Sequence, residues 1–172
     1  MKKLIAIICT LVLSLGMMTA CGERIDDSNS NTNNNEPKGI ALVYGDTKID
    51  LTVGQWEAKR TQIKTADVSL GTSKEYEFTG VTLAALMEMA GATDCTKILV
   101  KSSDGWSAEV AAEDAKAYSI MITDGYVGGK EIPADAGGPI KMVFPATEHP
   151  ELNDKYDTWA WQWYVAEIEF VK

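Results

Sequence analysis

The segment Phe78–Gly91, FTGVTLAALMEMAG, carries the clearest structural signal in this chain. Thr82 has the side chain of a helix N-cap, and its hydroxyl is placed to accept a backbone hydrogen bond from the first turn. Apolar residues then recur at helical spacing until Gly91, a residue typical of the position just after a helix. The segment therefore predicts a short helix over Thr82–Ala90.

Apolar or alternating segments on both sides of this helix predict strands. They are Ile40–Tyr44, Lys48–Val53, Lys97–Lys101, Trp106–Val110, Ser119–Thr123, Ile140–Phe144 and Trp159–Val171, with a weaker candidate in Lys59–Ser69. Thr52 is placed to cap one more short helix, and Ala111–Tyr118 predicts another. Leu70–Lys74, Asp124–Gly138 and Ala146–Asp157 are expected to be irregular. The pattern indicates an α+β domain with a mixed β-sheet and a few short helices.

The first twenty residues have the composition of an export signal. Lys2 and Lys3 give a positive start, and an almost wholly apolar run follows as far as Met18. This run of about 15 residues is shorter than the roughly 20 that a spanning helix needs. The pattern therefore favours a cleaved signal peptide over a retained membrane helix.

The end of this segment, Met18-Thr19-Ala20-Cys21, resembles a bacterial lipobox, which ends in the cysteine that receives lipid. The resemblance implies that Cys21 becomes the first mature residue and carries acyl chains such as palmitate. Each buried methylene contributes about 0.8 kcal/mol, so two or three chains hold a domain to a bilayer. We expect a lipoprotein bound to the cell membrane through Cys21, on its extracytoplasmic face.

The stretch Gly22–Pro37, GERIDDSNSNTNNNEP, contains a single large aliphatic residue, Ile25. Such a composition cannot bury enough apolar surface to offset the entropy of ordering, which predicts a disordered tether. A flexible chain of this length spans roughly 20–25 Å on average. The expected organisation is a signal peptide over residues 1–20, a lipidated cysteine and tether over 21–37, and one globular domain over 38–172.

Charge and cysteine content exclude several classes of function. Without Lys2 and Lys3, 14 basic residues face 25 acidic ones, a net charge of −11 for the mature chain, which argues against nucleic acid as a partner. Of the three cysteines, Cys9 lies in the signal and Cys21 in the anchor, so only Cys95 remains. We therefore expect no internal disulfide and no thiolate cluster for zinc or iron–sulfur.

Several segments, taken in order, resemble the oxidoreductase molybdopterin-binding domain family, the catalytic-domain fold of sulfite oxidases and related periplasmic reductases. They are LTVGQW at Leu51–Trp56, FTGVTLAALMEMAG at Phe78–Gly91, SSDGWSAEV at Ser102–Val110, DGYVGGKEIPADAGGPIKMVFP at Asp124–Pro145 and WYVAEIEF at Trp163–Phe170. The resemblance implies that fold, an oxidoreductase-like activity and molybdopterin as a cofactor.

The chain departs from the family's enzymes where those enzymes hold their cofactor. The enzymes bind molybdenum through a cysteine thiolate, a soft donor, in a segment before the Gly-Val-x-Leu helix. The matching stretch here, Thr65–Lys74, contains no cysteine. Many members show His-Gly-x-Pro-x-Arg before the late strand, whereas Ala136–Lys141 lacks the histidine and has lysine for arginine. Near the end, Thr158-Trp159 stands where members often show Lys-Trp.

Three functions are compatible with this pattern. The first is a module that binds a small ligand or an envelope protein and has lost the molybdenum ligand. The second is a molybdopterin-dependent oxidoreductase, or a subunit of a redox complex, that holds the cofactor without a protein thiolate. The third is a structural or adhesive envelope protein. The sequence assigns no catalytic residue, and whether the chain is an enzyme stays open.

A binding site, if one is kept, is expected where three loops converge. The candidate residues are Asp67, Ser69 and Gly71 in the first loop, Ser103, Asp104, Gly105 and Trp106 in the second, and Gly137, Gly138, Pro139 and Lys141 in the third. No metal ligand is assigned among them.

The late tryptophans and His149 can each be interpreted in two ways, as structural residues or as part of a binding site. A strand would place Trp159, Trp161 and Trp163 on one face, with Trp106 near them. Such a face either fills a core or, if exposed, binds sugars, aromatic rings or cations. His149, the only histidine, lies among carboxylates, which is typical either of a divalent-cation site or of a solvated acidic loop.

Overall fold

The computed structural model describes residues 33–172. The expected signal peptide, Cys21 and most of the expected tether therefore lie outside the described residues. Within the described range, no helix is long and apolar enough to cross a membrane.

The described chain contains nine strands, four short helices and three 3-10 turns. The strands are β1 (Pro37–Tyr44), β2 (Thr47–Thr52), β3 (Thr61–Ala66), β4 (Glu75–Thr82), β5 (Lys97–Ser102), β6 (Ser107–Ala111), β7 (Met121–Tyr126), β8 (Lys141–Val143) and β9 (Val165–Val171). The helices are α1 (Val53–Glu57), α2 (Leu83–Met89), α3 (Ala112–Ala117) and α4 (Glu151–Lys155). The 3-10 turns are Val68–Leu70, Ala134–Ala136 and Thr158–Ala160.

The strands form two sheets. The first sheet has the order β2-β1-β9-β5-β6. It is mixed, because β1 runs parallel to β9, with Ala41 opposite Glu167, whereas the other neighbouring strands of the sheet are antiparallel. The second has the order β3-β4-β7-β8 and is antiparallel throughout. The expected α+β class with mixed pairing is confirmed, although the strands divide between two sheets.

Threonine caps start the helices that follow two of the strands. Thr52 and Gln55 form a capping box before α1, with the Thr52 hydroxyl accepting from Gln55 N at 3.2 Å and Gln55 Oε1 accepting from Thr52 N at 2.9 Å. The Thr82 hydroxyl accepts from Ala85 N at 3.2 Å, which confirms the helix expected after Thr82. These bonds satisfy backbone donors that have no partner inside the helix.

Residues of both sheets and of the helices share one hydrophobic core. Its largest fully buried side chains include Trp56, Phe78, Leu83, Leu86, Phe144, Trp161 and Phe170. The core includes residues from both ends of the described range, from Ile40 to Phe170. The late segment around Trp161 is therefore held by packing as well as by its own turns.

The last residues of the expected tether contact the domain. The carbonyl oxygen of Glu36 accepts from Val53 N at 2.8 Å, and that of Asn34 accepts from Gly54 N at 2.9 Å. Both donors lie in the first turn of α1, where backbone N–H groups have no intrahelical partner. The chain from Asn33 onward therefore hydrogen-bonds to the start of α1, and Pro37 already belongs to β1.

The structure corrects the expected strand over Trp159–Val171. The strand β9 begins only at Val165, and the residues before it include the 3-10 turn Thr158–Ala160. Asp157 Oδ1 starts that turn by accepting from Trp159 N at 3.1 Å, and Tyr164 then adopts a positive φ of 52°. The three late tryptophans therefore do not share one strand face.

Smaller corrections concern element bounds. The expected irregular segment Ala146–Asp157 contains α4, and β7 covers Met121–Tyr126 rather than Ser119–Thr123. The weaker strand candidate in Lys59–Ser69 is confirmed as β3, whereas the sequence pattern did not predict β4.

An ion cluster links the two sheets. The Asp124 carboxylate in β7 accepts from Arg60 Nη1 at 2.7 Å and Nη2 at 2.8 Å, and it also pairs with Lys38 in β1. Burial acts to raise the pKa of Asp124, but the hydrogen bonds from Arg60 and Lys38 outweigh burial and hold that pKa below its ordinary value.

We predict that Asp124→Asn lowers the free energy of unfolding at neutral pH by about 1–3 kcal/mol, because it removes a mostly buried charged acceptor. The folded-state pKa of Asp124 is depressed, so its stabilisation is present above the ordinary pKa of 3.8 and is lost as pH falls through the folded-state value. Denaturant unfolding of wild type and variant at neutral and strongly acidic pH checks this. Asp46→Asn, in the exposed β1–β2 turn, is the control, and an equal difference at both pH values would contradict the assignment.

Candidate functional site

A fully buried ion pair lies where the first and third expected loops meet. Lys141 Nζ in β8 is 2.7 Å from Asp67 Oδ2, just before the turn Val68–Leu70, and neither side chain is exposed. The same ammonium donates to Ser69 Oγ at 3.0 Å and to the Ala136 carbonyl at 3.1 Å. An ammonium has three N–H donors, so all three are used inside the protein.

Burial of this pair has electrostatic consequences. Removal from water lowers the pKa of the Lys141 ammonium, and the neighbouring Asp67 carboxylate opposes that lowering. Two opposite charges placed this close in the interior compensate each other, whereas either one alone would remain as an unpaired buried charge. The positive charge of Lys141 is therefore neutralised locally and is not free to meet an external anion.

Ser69 connects the ion pair to Trp163. The Ser69 hydroxyl donates to Asp67 Oδ1 at 2.6 Å and accepts from Trp163 Nε1 at 3.2 Å. Lys141 Nζ also lies 5.3 Å from the centroid of the Trp163 ring, within the range of a cation–π contact. The buried charges thus fix the position of this indole.

Two glycines of the third loop are required for close backbone packing. A Cβ atom at Gly137 would lie 2.5 Å from Trp163 Cγ, and Gly137 has a φ of +92° that favours glycine. A Cβ atom at Gly138 would lie 1.8 Å from the Ile132 carbonyl oxygen. Gly137 therefore packs against the Trp163 indole, and Gly138 packs against the backbone of Ile132.

Trp163 forms part of the wall of a cleft of about 520 Å³, hereafter the tryptophan cleft. The other aromatic wall residues are Trp106, Trp159, Trp161 and Tyr164, and polar side chains come from Ser69, Asp104, Ser107, Thr158 and Gln162. Among these described lining residues, Asp104 is the only one with a formal charge. The volume is in the range of pockets that bind small molecules.

Two of the tryptophans are strongly exposed. Trp106 is 65% and Trp159 76% exposed, and Val127 is the only other exposed large hydrophobic residue in residues 33–172. Their rings stack with centroids 6.0 Å apart, which confirms the expectation that Trp106 lies near the late tryptophans. An exposed aromatic pair of this kind is typical of an interaction site.

Turn chemistry holds the exposed tryptophans in place. Asp104 Oδ1 accepts from Trp106 N at 3.3 Å within the turn between β5 and β6. Ser103 N donates to the Tyr164 carbonyl at 3.0 Å, which joins that turn to the segment before β9. Residues about 60 positions apart in sequence are thereby brought to the same cleft.

The three late tryptophans have different environments. Trp159 is exposed, Trp163 is half-buried, and Trp161 is 2% exposed and packs against Phe144 in the core. The indole Nε1 of Trp161 has no hydrogen-bond partner among the described residues, a cost of about 1–3 kcal/mol for a buried donor. Trp161 therefore fits the interpretation of a core residue, whereas the exposed Trp159 fits that of a ligand-binding surface.

The remaining candidate residues lie around the cleft or away from it. Gly71 ends the turn Val68–Leu70 with a φ of +63°, and Gly105 has a φ of +96° in the β5–β6 turn. Ser103 is exposed in that turn and does not line the cleft. Pro139 lines a different depression, beside Arg60.

Sequence reasoning missed Gln162 and Tyr164 as cleft residues. Gln162 is nearly buried, and its side-chain amide donates to the Ser102 hydroxyl. Tyr164 has a positive φ, rare for a large side chain, and its hydroxyl donates to the Ala134 carbonyl at 2.9 Å. No local pattern marks either residue, because both positions depend on contacts with distant loops.

His149 and Cys95, the residues considered for metal binding, do not line the tryptophan cleft. His149 Nδ1 is 3.3 Å from Glu151 Oε1, and its ring packs edge-on against Tyr118. Residues 33–172 contain no group of three or more His, Cys, Asp or Glu side chains arranged to hold a metal. Cys95 is buried between α2 and β5, where burial raises the pKa of its thiol, and it does not line the cleft.

A model of the oxidoreductase molybdopterin binding domain matches residues 50–149, which is more than half of the chain. The chain belongs to the oxidoreductase molybdopterin binding domain family. A comparison with curated proteins gives no match. The matched range includes Asp67, Trp106 and Lys141 but ends before Trp159, so part of the tryptophan cleft comes from residues outside it.

The residues around the Lys141–Asp67 pair lack the donors that the family's molybdenum centre requires. A molybdenum centre is held by a soft thiolate, and the only cysteine of the described chain, Cys95, lies in another part of the domain. The stretch Thr65–Lys74 offers Asp67 and Ser69 as donors, but both are engaged with Lys141. Lys141, the lysine that stands in place of the family's arginine, is paired with Asp67. The junction of Asp67, Ser69 and Lys141 therefore offers neither a thiolate nor an unpaired cation, and these residues do not fit a thiolate-bound molybdenum centre.

We predict that Lys141→Met lowers the free energy of unfolding by about 3–5 kcal/mol, because it leaves the Asp67 carboxylate buried without an opposite charge. The double variant Asp67→Asn/Lys141→Met should recover part of this loss, since it removes both charges together. Denaturant unfolding followed by tryptophan fluorescence measures both effects.

The exposed pair Lys97–Glu109, with atoms 3.2 Å apart, provides the control. Lys97→Met should cost less than about 1 kcal/mol, because exposed ion pairs contribute little. Strictly additive effects of Asp67→Asn and Lys141→Met would contradict the coupling.

Proposed function

We propose that this chain is an extracytoplasmic lipoprotein, anchored through Cys21, whose molybdopterin-binding-family domain binds a ligand at the tryptophan cleft and holds no molybdenum. The observation that carries the proposal is the buried Lys141–Asp67 pair. Asp67 comes from the stretch that matches the thiolate segment of the enzymes, and it neutralises the lysine that stands in place of their arginine.

The cleft supports a binding role for the domain. Trp106 and Trp159 expose large aromatic faces, and polar side chains such as Ser69 and Gln162 line the same space. Pockets of this composition bind small molecules by stacking, with a few polar groups that fix orientation. Trp163 is held from behind by Ser69, so part of the wall is preorganised.

The amino terminus supports the anchor. The positive start, the apolar run and the small residues before Cys21 have the order of a lipoprotein signal. The polar composition of residues 22–32 suits a tether that holds an acidic domain away from a bilayer surface.

A second candidate function is a molybdopterin-dependent oxidoreductase or redox-complex subunit, which family membership favours. The two candidates differ in what the purified protein contains. The oxidoreductase candidate requires a pterin that is bound without a protein thiolate, whereas the ligand-binding candidate requires no bound pterin.

We predict substoichiometric molybdenum, and no pterin fluorescence after denaturation and oxidation, in protein purified from a host that makes the cofactor. A family enzyme with its ligand cysteine, expressed in the same host, is the loading control. Elemental analysis of the full-length protein is the measurement. Stoichiometric molybdenum with released pterin would overturn the proposal and establish the second candidate.

We predict that Cys21→Ser abolishes incorporation of labelled palmitate and releases the chain from the membrane fraction, because it removes the acyl acceptor. The matched control is Cys95→Ser, which keeps Cys21 and should retain label and membrane binding. Labelling of the Cys21→Ser variant at the wild-type level would show that the anchor lies elsewhere.

A further inference from the structure

We infer that the tryptophan cleft selects a small, free organic cation of the alkylammonium type. This inference rests on the proposed function, because it names the ligand class of the same cleft. Three observations carry the inference: the charge of the lining residues, the exposure of two tryptophans, and the absence of Lys and Arg from the described lining.

The first observation is the charge of the cleft. Asp104 is the only formally charged residue among the described residues that line it. Asp104 makes no ion pair within residues 33–172, and other exposed carboxylates such as Asp46 and Asp50 make none either. What distinguishes Asp104 is that it lines a cleft together with two exposed tryptophans. A carboxylate without a protein cation, in a chain with a formal net charge of −9, favours a positively charged ligand.

The second observation is the pair of exposed indoles. Trp106 and Trp159 are exposed, stack on each other and line the same cleft as Asp104. Tryptophan is the side chain whose ring attracts cations best. Aromatic surfaces recognise alkylammonium groups because the ring quadrupole attracts the charge while the methyl groups displace water. The stacked pair and the carboxylate together supply both parts of that recognition.

The third observation excludes anions. Lys141 contacts the wall residues Ser69 and Trp163, but its three donors are used by Asp67, Ser69 and the Ala136 carbonyl. No lysine or arginine is among the described lining residues. A phosphate or carboxylate ligand would therefore meet Asp104 without compensation, and a zwitterionic lipid headgroup would bring such a phosphate with it.

The orientation of Asp104 permits a sharp test. Its Oδ1 atom accepts from Trp106 N, and an asparagine at this position keeps that acceptor. Asp104→Asn therefore removes the charge while preserving the turn that holds Trp106. Asp46→Asn is the matched control, since Asp46 also lies in an exposed turn between two strands, β1 and β2.

The experiment is calorimetric titration of the full-length protein in non-ionic detergent. The probes are choline, its neutral isostere 3,3-dimethylbutan-1-ol, phosphocholine and methyl glucoside. We expect saturable choline binding that is about ten-fold tighter than binding of the neutral isostere. Phosphocholine should bind more weakly than choline, which separates a free cation from a lipid headgroup.

The variants locate the interaction. Asp104→Asn should weaken choline binding by about ten-fold, and Trp159→Ala should weaken it by at least as much. Asp46→Asn should bind as wild type does. Trp159 is exposed, so its removal leaves the core intact, and unfolding curves of each variant verify the fold.

The inference is overturned if choline shows no saturable binding, or if choline and its neutral isostere bind with equal affinity. Saturable binding of methyl glucoside alone would also overturn it, while leaving the proposed binding role of the cleft in place. Stoichiometric molybdenum in the purified protein would instead remove the proposed function itself, which the metal analysis detects independently of any titration.

Discussion

The buried contact between Lys141 and Asp67 is the constraint on which the candidate site depends. It joins β8 to the turn after β3, and through Ser69 it orients Trp163, against which Gly137 packs closely. A buried ammonium needs an anion and three acceptors, so this arrangement stabilises the junction and at the same time neutralises its charge. In the family's enzymes the corresponding loops carry the thiolate and the arginine that serve a cofactor. In this chain the two loops instead carry Asp67 and Lys141, which form an ion pair with each other.

The tryptophan cleft follows from that arrangement. Because Trp163 is fixed from behind, the cleft has a stable inner wall, and the turn containing Asp104 and the turn starting at Thr158 bring Trp106 and Trp159 to its outer side. The result is an aromatic pocket with one uncompensated carboxylate in the described lining. On the function that we propose, a scaffold of an oxidoreductase family uses this surface for stacking and cation recognition.

Local patterns predicted much of the fold. The helix after Thr82, the strand around Lys97–Lys101 and the α+β class all depend on capping and short-range periodicity, which act within a few residues. The pattern failed at Trp159–Trp163, where period-two spacing suggested a strand although Asp157 caps a 3-10 turn instead. It also missed β4, because cross-strand pairing and burial rather than local propensity decide such a segment.

The sequence by itself determined the residue types available to the site: no cysteine in Thr65–Lys74, a lysine at Lys141, and tryptophans at fixed positions. The resemblance to the family added the prediction that the loops of Asp67 and Lys141 would lie close together. Only the tertiary structure decided that Lys141 pairs with Asp67, 74 positions away, and that Trp159 is exposed while Trp161 is buried. The physical reason is that charge compensation and burial depend on the neighbours a residue acquires through long-range packing, and spacing along the chain does not specify those neighbours.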